Sequence, residues 1–120
     1  MQFKFKKDYP DVEKRKKQCT VLLEKQPTKI PLILEKAPDC KHAGINKTKH
    51  LILRNMTVNN FELMIKGLLK ISEEEALFFA VKGKYTLTGE KTMGDVYEKY
   101  KDKEDGFLYI MYSNELLWGN

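Results

Sequence analysis

Apolar residues recur at helical spacing in three segments of the chain. The first segment runs from Pro10 to Gln26, starts with a proline suited to a first helical turn and has a polar side rich in lysine. Thr57 precedes a second segment with a wide apolar stripe, and Thr92 with Asp95 has the pattern of a capping box that begins a third. These patterns predict three amphipathic helices, of which the first is strongly basic.

Three short apolar runs lie between these helices, and a fourth follows the last helix. They cover residues 29–35, 49–54, 77–81 and 107–112, and each has the length of a strand. Pro31 in the first run predicts a sheet edge or a bulge, because proline has no N–H for a ladder hydrogen bond. The last run is unbroken in its apolar and aromatic character, which predicts a buried central strand. The order of elements predicts an α+β sheet with helices on its faces.

Composition and charge place the chain in a broad class. It has 120 residues, of which 42% are hydrophobic and 32% charged, as in an ordinary globular domain. Nine basic and four acidic residues fall within the first 29, whereas the rest of the chain is balanced. This basic block suits an acidic partner or an anionic membrane surface, or is a solvated helix face. With no long apolar run and no leader pattern, a cytoplasmic protein is expected.

Residues capable of catalysis are few. Cys19 and Cys40 lack metal-ligand spacing, and Cys40 with His42 would supply only two ligands. The acidic run from Glu73 to Glu75 suits the first turn of a helix. There is no glycine-rich phosphate loop and no nucleophile elbow. The sequence therefore predicts a binding or modifier protein, not an enzyme, with no catalytic residue, no metal and no cofactor.

Several blocks of sequence, in order, resemble the ubiquitin-like autophagy modifiers, the family of autophagy-related protein eight with its light-chain-three and GABA-receptor-associated branches. The blocks are EKRKKQ after Tyr9-Pro10, IPLILEKAP, MTVNNF, EEALFFAV, TMGDVYEKY and GFLYIMYSNE, with Gly119 near the end. The resemblance implies an α+β fold, a ubiquitin-like β-grasp with a four-stranded mixed sheet and two additional N-terminal helices. It implies one domain, with a helical extension over residues 1–27, a core over 28–113 and a flexible tail over 114–120.

The resemblance also implies covalent attachment to lipid. A cysteine protease would cut after Gly119 and remove Asn120, and activating and conjugating enzymes would then transfer the glycine to phosphatidylethanolamine. Glycine suits this position because it has no Cβ to obstruct narrow enzyme clefts. The protein would be a cytoplasmic monomer before conjugation and would lie on autophagosomal or other endomembrane surfaces afterwards. Trp118 stands where the family usually has Phe or Tyr, and this difference is expected to affect which protease and conjugating enzymes accept the protein.

A second implied activity is the capture of aromatic-x-x-aliphatic motifs from autophagy receptors, as a strand added to the edge formed by Lys49 to Leu53. The positions that match those of the family would form an aromatic pocket from Gln18, Leu22, Pro31, Lys49, Leu51 and Phe107. An aliphatic pocket is formed by His50, Ile52, Leu53, Met56, Phe61 and Met64. Lys29 and Lys47, with Lys49, would meet acidic residues that flank the motif. For each apolar residue, plain core packing is the alternative role.

Some residues depart from the family pattern. His50 and Leu53 replace a Tyr and a Pro that are common in the edge strand, and Leu68 replaces an Arg on the helix after it. With His50 at a pocket rim, we expect motif affinity to change between about pH 5.5 and 7.5, around the unperturbed histidine pKa. An alternative function is an unconjugated adaptor, a trafficking or cytoskeletal interaction module that does not use Gly119. Nucleic-acid binding is not expected, because the basic helix lacks interleaved aromatic residues.

Overall fold

The computed structural model describes residues 3–42, 44–89 and 91–115. In chain order the elements are α1 (Lys4–Asp8), α2 (Val12–Lys25), β1 (Lys29–Lys36), β2 (Lys49–Leu53), α3 (Val58–Leu69), β3 (Phe78–Val81), β4 (Tyr85–Thr86), α4 (Met93–Tyr100) and β5 (Leu108–Ser113). The predicted α+β class and the two N-terminal helices are confirmed. Within the described ranges, no helix is both long enough and apolar enough to cross a membrane.

The strands form one mixed sheet in the order β2-β1-β5-β3-β4. β1 and β5 are parallel, while the β1/β2, β3/β5 and β3/β4 pairs are antiparallel. As predicted, the last apolar run is the central strand, and every residue of β5 is buried. The predicted four strands are corrected to five. The additional strand, β4, has only two residues, both exposed, so it left no apolar pattern in the sequence.

The position predicted for Pro31 is wrong, because β1 lies between β2 and β5 and is not an edge strand. The bonds from Arg54 N to Thr28 O and from Leu34 N to Thr48 O show that even-numbered residues of β1 bond to β2. The missing N–H of Pro31 therefore faces the other side, one residue before the pairing with β5 begins at Leu32. Proline is tolerated there because no ladder bond is lost.

Helices cover both faces of the sheet. On one face α3 and α4 pack over a core that includes Ile30, Ile52, Phe61 and Ile110. On the other, α1 and α2 cover a smaller cluster of Phe3, Phe5, Cys19, Ile33, Ala37, Phe107, Tyr109 and Met111. Alternation along each strand separates the two sets. We call these the α3 face and the α2 face.

The predicted helix caps are confirmed, whereas one predicted helix start is wrong. The Thr57 side chain accepts a hydrogen bond from Asn60 N, and Thr92 with Asp95 forms a complete capping box. Glu73 to Glu75 does not begin a helix. This run lies in a turn closed by the bond from Glu75 N to Ser72 O, and β3 follows directly.

Candidate functional site

Strand β2 has one edge paired with β1, and no described strand pairs with its other edge. Because even-numbered residues of β2 exchange hydrogen bonds with β1, the N–H groups of Lys49, Leu51 and Leu53 point away from the sheet. Outward N–H groups on an edge strand form a ready template for an added strand. Among the described residues, therefore, no strand covers the edge that was predicted for docking.

A cavity of about 440 Å³ lies between α2 and the beginning of β2. It is lined by Lys14, Lys17, Gln18, Val21, Leu22 and Lys49. Three of these residues, Gln18, Leu22 and Lys49, were predicted for the aromatic pocket. The Lys49 ammonium donates a hydrogen bond of 3.1 Å to the Gln18 side-chain oxygen, which joins the helix to the strand beside the cavity. The lining therefore combines two apolar side chains with three lysines.

The other residues predicted for the aromatic pocket lie around this cavity without lining it. Leu51 is half-buried on β2, in register with buried Pro31 on β1. Phe107 is fully buried and packs edge-on against Phe5 at a centroid distance of 5.3 Å. Phe107 therefore belongs to the core of the α2 face, which supports α2 from below.

The sequence analysis missed three lining residues, Lys14, Lys17 and Val21. They lie on the same side of α2 as Gln18, since positions three, four and seven apart share a helix face. That spacing could have identified them. Val21 is exposed over 38% of its surface although it is apolar.

Four of the residues predicted for the aliphatic pocket lie on the α3 face, in two groups. Ile52 and Phe61 are buried in the core, while Met56 and Met64 are half-buried and pack against it. Leu53 is separate. Strand alternation places it on the same side as Lys49 and Leu51, and it is 45% exposed. The described site therefore has a methionine-rich rim on the α3 face, with Leu53 at the far end of the strand.

His50 lies on the α3 face at the beginning of β2. Its Nε2 is 2.7 Å from the carbonyl oxygen of Lys47, so a neutral ring with its proton on Nε2 donates a hydrogen bond there. Burial lowers the pKa of His50 below its ordinary value, although this hydrogen bond opposes the shift. The change in motif affinity is therefore expected at lower pH than the unperturbed histidine pKa suggested.

The two lysines predicted to meet acidic flanks lie at opposite ends of β2. Lys29 pairs with Leu53 at the end of the strand, and Lys47 lies in the loop just before its beginning. The two predicted contacts with acidic flanking residues are therefore separated by the length of β2.

Buried polar contacts hold the α2 side of the site in place. Asp105 accepts hydrogen bonds from Arg15 Nε at 2.8 Å, from the Tyr109 hydroxyl at 2.6 Å and from Phe107 N at 2.9 Å. The side chains of Arg15 and Asp105 are 4% and 0% exposed. These residues are far apart in the sequence, so no local pattern predicted the contact. The network fixes α2, and hence the cavity wall, on the sheet.

The thiols and histidines form no reactive group in the described part of the chain. Cys19 is buried, and burial raises its pKa to about 11, which keeps the thiol protonated. Nε2 of His42 is 4.0 Å from a carboxylate oxygen of Glu75. Across residues 3–42, 44–89 and 91–115, no three His, Cys, Asp or Glu side chains are grouped as metal ligands.

The predicted conjugation residue, Gly119, and the residue removed with it, Asn120, lie outside the described residues. The described chain leaves the sheet after Ser113, which is buried and pairs with Phe78. Asn114 then accepts a hydrogen bond of 2.8 Å from Lys41 N. The tail therefore starts from the middle of the sheet, beside β3.

The mixed sheet with β1 and β5 parallel at its centre and helices on both faces defines a ubiquitin-like protein. Residues 14–119 match the family model described as "Autophagy protein Atg8 ubiquitin like". The chain is 44% identical to Autophagy-related protein 8e of Arabidopsis thaliana over 109 residues, which cover 91% of this chain and 88% of the relative. The crystal structure of Trypanosoma brucei ATG8 superposes with a TM-score of 0.85 at 30% identity, covering 94% of this chain and 95% of the other. The chain belongs to the Atg8 family of ubiquitin-like autophagy proteins.

Proposed function

We propose that this protein is a conjugated autophagy modifier, which captures aromatic-x-x-aliphatic motifs of receptors on the edge of β2. The observation that carries the proposal is the open edge of β2 between two different apolar surfaces. The N–H groups of Lys49, Leu51 and Leu53 are free to pair with a peptide, the cavity of about 440 Å³ opens on one side, and Met56 and Met64 lie on the other. Main-chain bonds would set the register and side chains the selection.

The positions of the two surfaces also define the direction of the peptide. The cavity contacts Lys49 at the beginning of β2, whereas Met56 and Met64 lie near its end. Residues three apart in a strand point to opposite faces. An aromatic residue in the cavity followed by an aliphatic residue on the α3 face therefore requires a peptide that runs parallel to β2.

Binding of short peptides tests this part of the proposal. A peptide with a tryptophan and a leucine at the two anchor positions should bind, and the same peptide with alanine at both should not. Val21→Asp should abolish binding, because it places a charge in the cavity at a site that is 38% exposed and tolerant of substitution. Leu63→Asp, on the outer face of α3, is the control and should bind normally. Equal affinity for the two peptides would remove the proposal.

The conjugation step rests on family membership and on the position of the glycine. We infer that a processing cysteine protease releases Asn120, and that activating and conjugating enzymes transfer the carbonyl of Gly119 to phosphatidylethanolamine. The protein acts as the transferred group and not as the catalyst. A lipid with two acyl chains would provide stable membrane attachment, which a basic helix alone does not. The cytoplasmic protein would then occupy autophagosomal or other endomembrane surfaces.

A second candidate function is a motif-binding adaptor that is never conjugated. The lysines of α1 and α2, together with the same groove, would serve such a module for trafficking or cytoskeletal partners. Intact masses of wild type and Gly119→Ala, recovered from membrane and soluble fractions, separate the two functions. Loss of Asn120 and a gain of phospholipid mass, both absent in the variant, would establish the modifier. If wild type and Gly119→Ala had identical masses and were distributed identically between membrane and soluble fractions, the adaptor function would be favoured.

A further inference from the structure

A second cavity, of about 400 Å³, lies at the beginning of β2 on the α3 face. It is lined by Gly44, Ile45, Asn46, Lys47, His50 and Leu68. Only His50 and Lys47 of this set were assigned to the groove above, and Leu68 comes from the last turn of α3. The cavity is therefore continuous with the edge of β2 but distinct from the first cavity, which lies on the α2 face.

Two of the residues that line this cavity, Ile45 and Leu68, have apolar side chains. Leu68 is 51% exposed, one of the most exposed large apolar side chains in the described ranges. Ile45 packs against the core of the α3 face, and its N–H donates a hydrogen bond of 3.2 Å to the Tyr112 hydroxyl. The His50 ring is fixed by its bond to Lys47 O. Covering Leu68 and Ile45 with a ligand would be favourable, because it removes apolar surface from water.

The register of a bound peptide brings one particular residue to this cavity. With the aromatic side chain on the α2 face beside Lys49, the residue before it must point to the α3 face. Since the peptide runs parallel to β2, that residue lies level with Thr48, next to the loop that supplies four of the six residues lining the cavity. The residue after the aromatic also points to the α3 face, but it lies level with His50, further along β2.

We propose that this cavity is a third subsite of the groove, which takes a branched aliphatic side chain immediately before the aromatic residue of the motif. The proposal rests on the proposed function, because it uses the same peptide in the same register. It assigns to Leu68 and Ile45 a role in selecting ligands. Motifs with an apolar residue before the aromatic are then preferred over motifs with an acidic residue there.

The test uses three peptides that are identical except for leucine, alanine or aspartate before the aromatic. We expect leucine to bind more tightly than alanine by about fivefold, as for an aliphatic side chain in a half-open site. Leu68→Ala should abolish that preference. Leu63→Ala is the matched control, because Leu63 is 44% exposed on the same helix but does not line the cavity. The control should retain the preference.

The outcomes separate the subsite from the proposed function. Equal affinity for leucine and alanine, tighter binding of aspartate, or a preference that survives Leu68→Ala would overturn the subsite while the groove stands. Failure of all three peptides to bind would overturn both. As a second measurement, amide chemical shifts of Ile45 and Leu68 should differ between the leucine and alanine complexes. Identical shifts at both positions would also overturn the subsite.

Discussion

Loss of the buried charge of Asp105 should destabilise the protein more than loss of any exposed charge. In Asp105→Asn the isosteric amide removes the negative charge that Arg15 faces at 2.8 Å, in a place where both side chains are nearly inaccessible to water. Removing one partner of a buried ion pair costs roughly 3–5 kcal/mol, because the remaining charge stays buried and uncompensated. The amide also presents N–H groups where the carboxylate accepted bonds from Tyr109 and Phe107.

Urea denaturation followed by circular dichroism measures this effect. A loss of roughly 3–5 kcal/mol is a large part of the stability of a typical domain, and it corresponds to a fall in melting temperature of roughly 10–20 °C. The control is Glu98→Gln, which breaks an exposed contact of 2.9 Å with Arg54 and should cost less than about 1 kcal/mol. A cost for Asp105→Asn as small as that of the control would refute the reasoning.

Four further perturbations have definite expected results. Gly106→Ala should destabilise by roughly 1–3 kcal/mol, because Gly106 has φ +85° and an added Cβ would lie 2.9 Å from the Cys19 sulfur. Gly67→Ala, in an open helical position, should stabilise the protein by up to about 1 kcal/mol. If urea denaturation showed that both glycine variants change the free energy of unfolding in the same direction, this account would be contradicted. Glu35→Ala should loosen α1 and speed hydrogen exchange at the Phe5 amide, because Glu35 accepts hydrogen bonds from the first N–H groups of that helix. Unchanged exchange at Phe5 would refute this role of Glu35. Motif affinity measured by calorimetry should weaken as pH falls through the pKa of His50, which burial holds below its ordinary value and a covering peptide lowers further. A flat profile, or equal weakening in His50→Phe, would exclude this role.

Local patterns predicted the parts of the fold that local physics determines. Thr57 and Thr92 were identified as helix caps because a threonine side chain satisfies the first free N–H groups of the helix that follows it. The run that became β5 was recognised as central because it is apolar on both faces. Both inferences need only a few neighbouring residues, and both are confirmed.

Features that depend on distant contacts were missed or predicted wrongly. β4 is too short to show a pattern, and it exists because it pairs with β3. Pro31 suggested an edge strand, because the sequence does not show that the side of its missing N–H faces the chain just before β5 begins. Glu35 and Asp105, which fix α1 and α2, act on residues 30 or more positions away. Of the candidate site, the resemblance indicated positions along β2, and helical spacing on α2 could have indicated Val21, whereas the cavity beside Leu68 required the packed structure.

The central claim is that a receptor motif adds a strand to β2, and amide hydrogen exchange on a peptide complex tests it most directly. The N–H groups of His50 and Ile52 already bond to β1, whereas those of Lys49, Leu51 and Leu53 point outwards. The account predicts that saturating peptide slows exchange at outward positions, most of all at Leu51 in the middle of the strand, and leaves His50 and Ile52 nearly unchanged. Unchanged exchange at Lys49, Leu51 and Leu53, with the peptide bound, would show that the motif docks elsewhere.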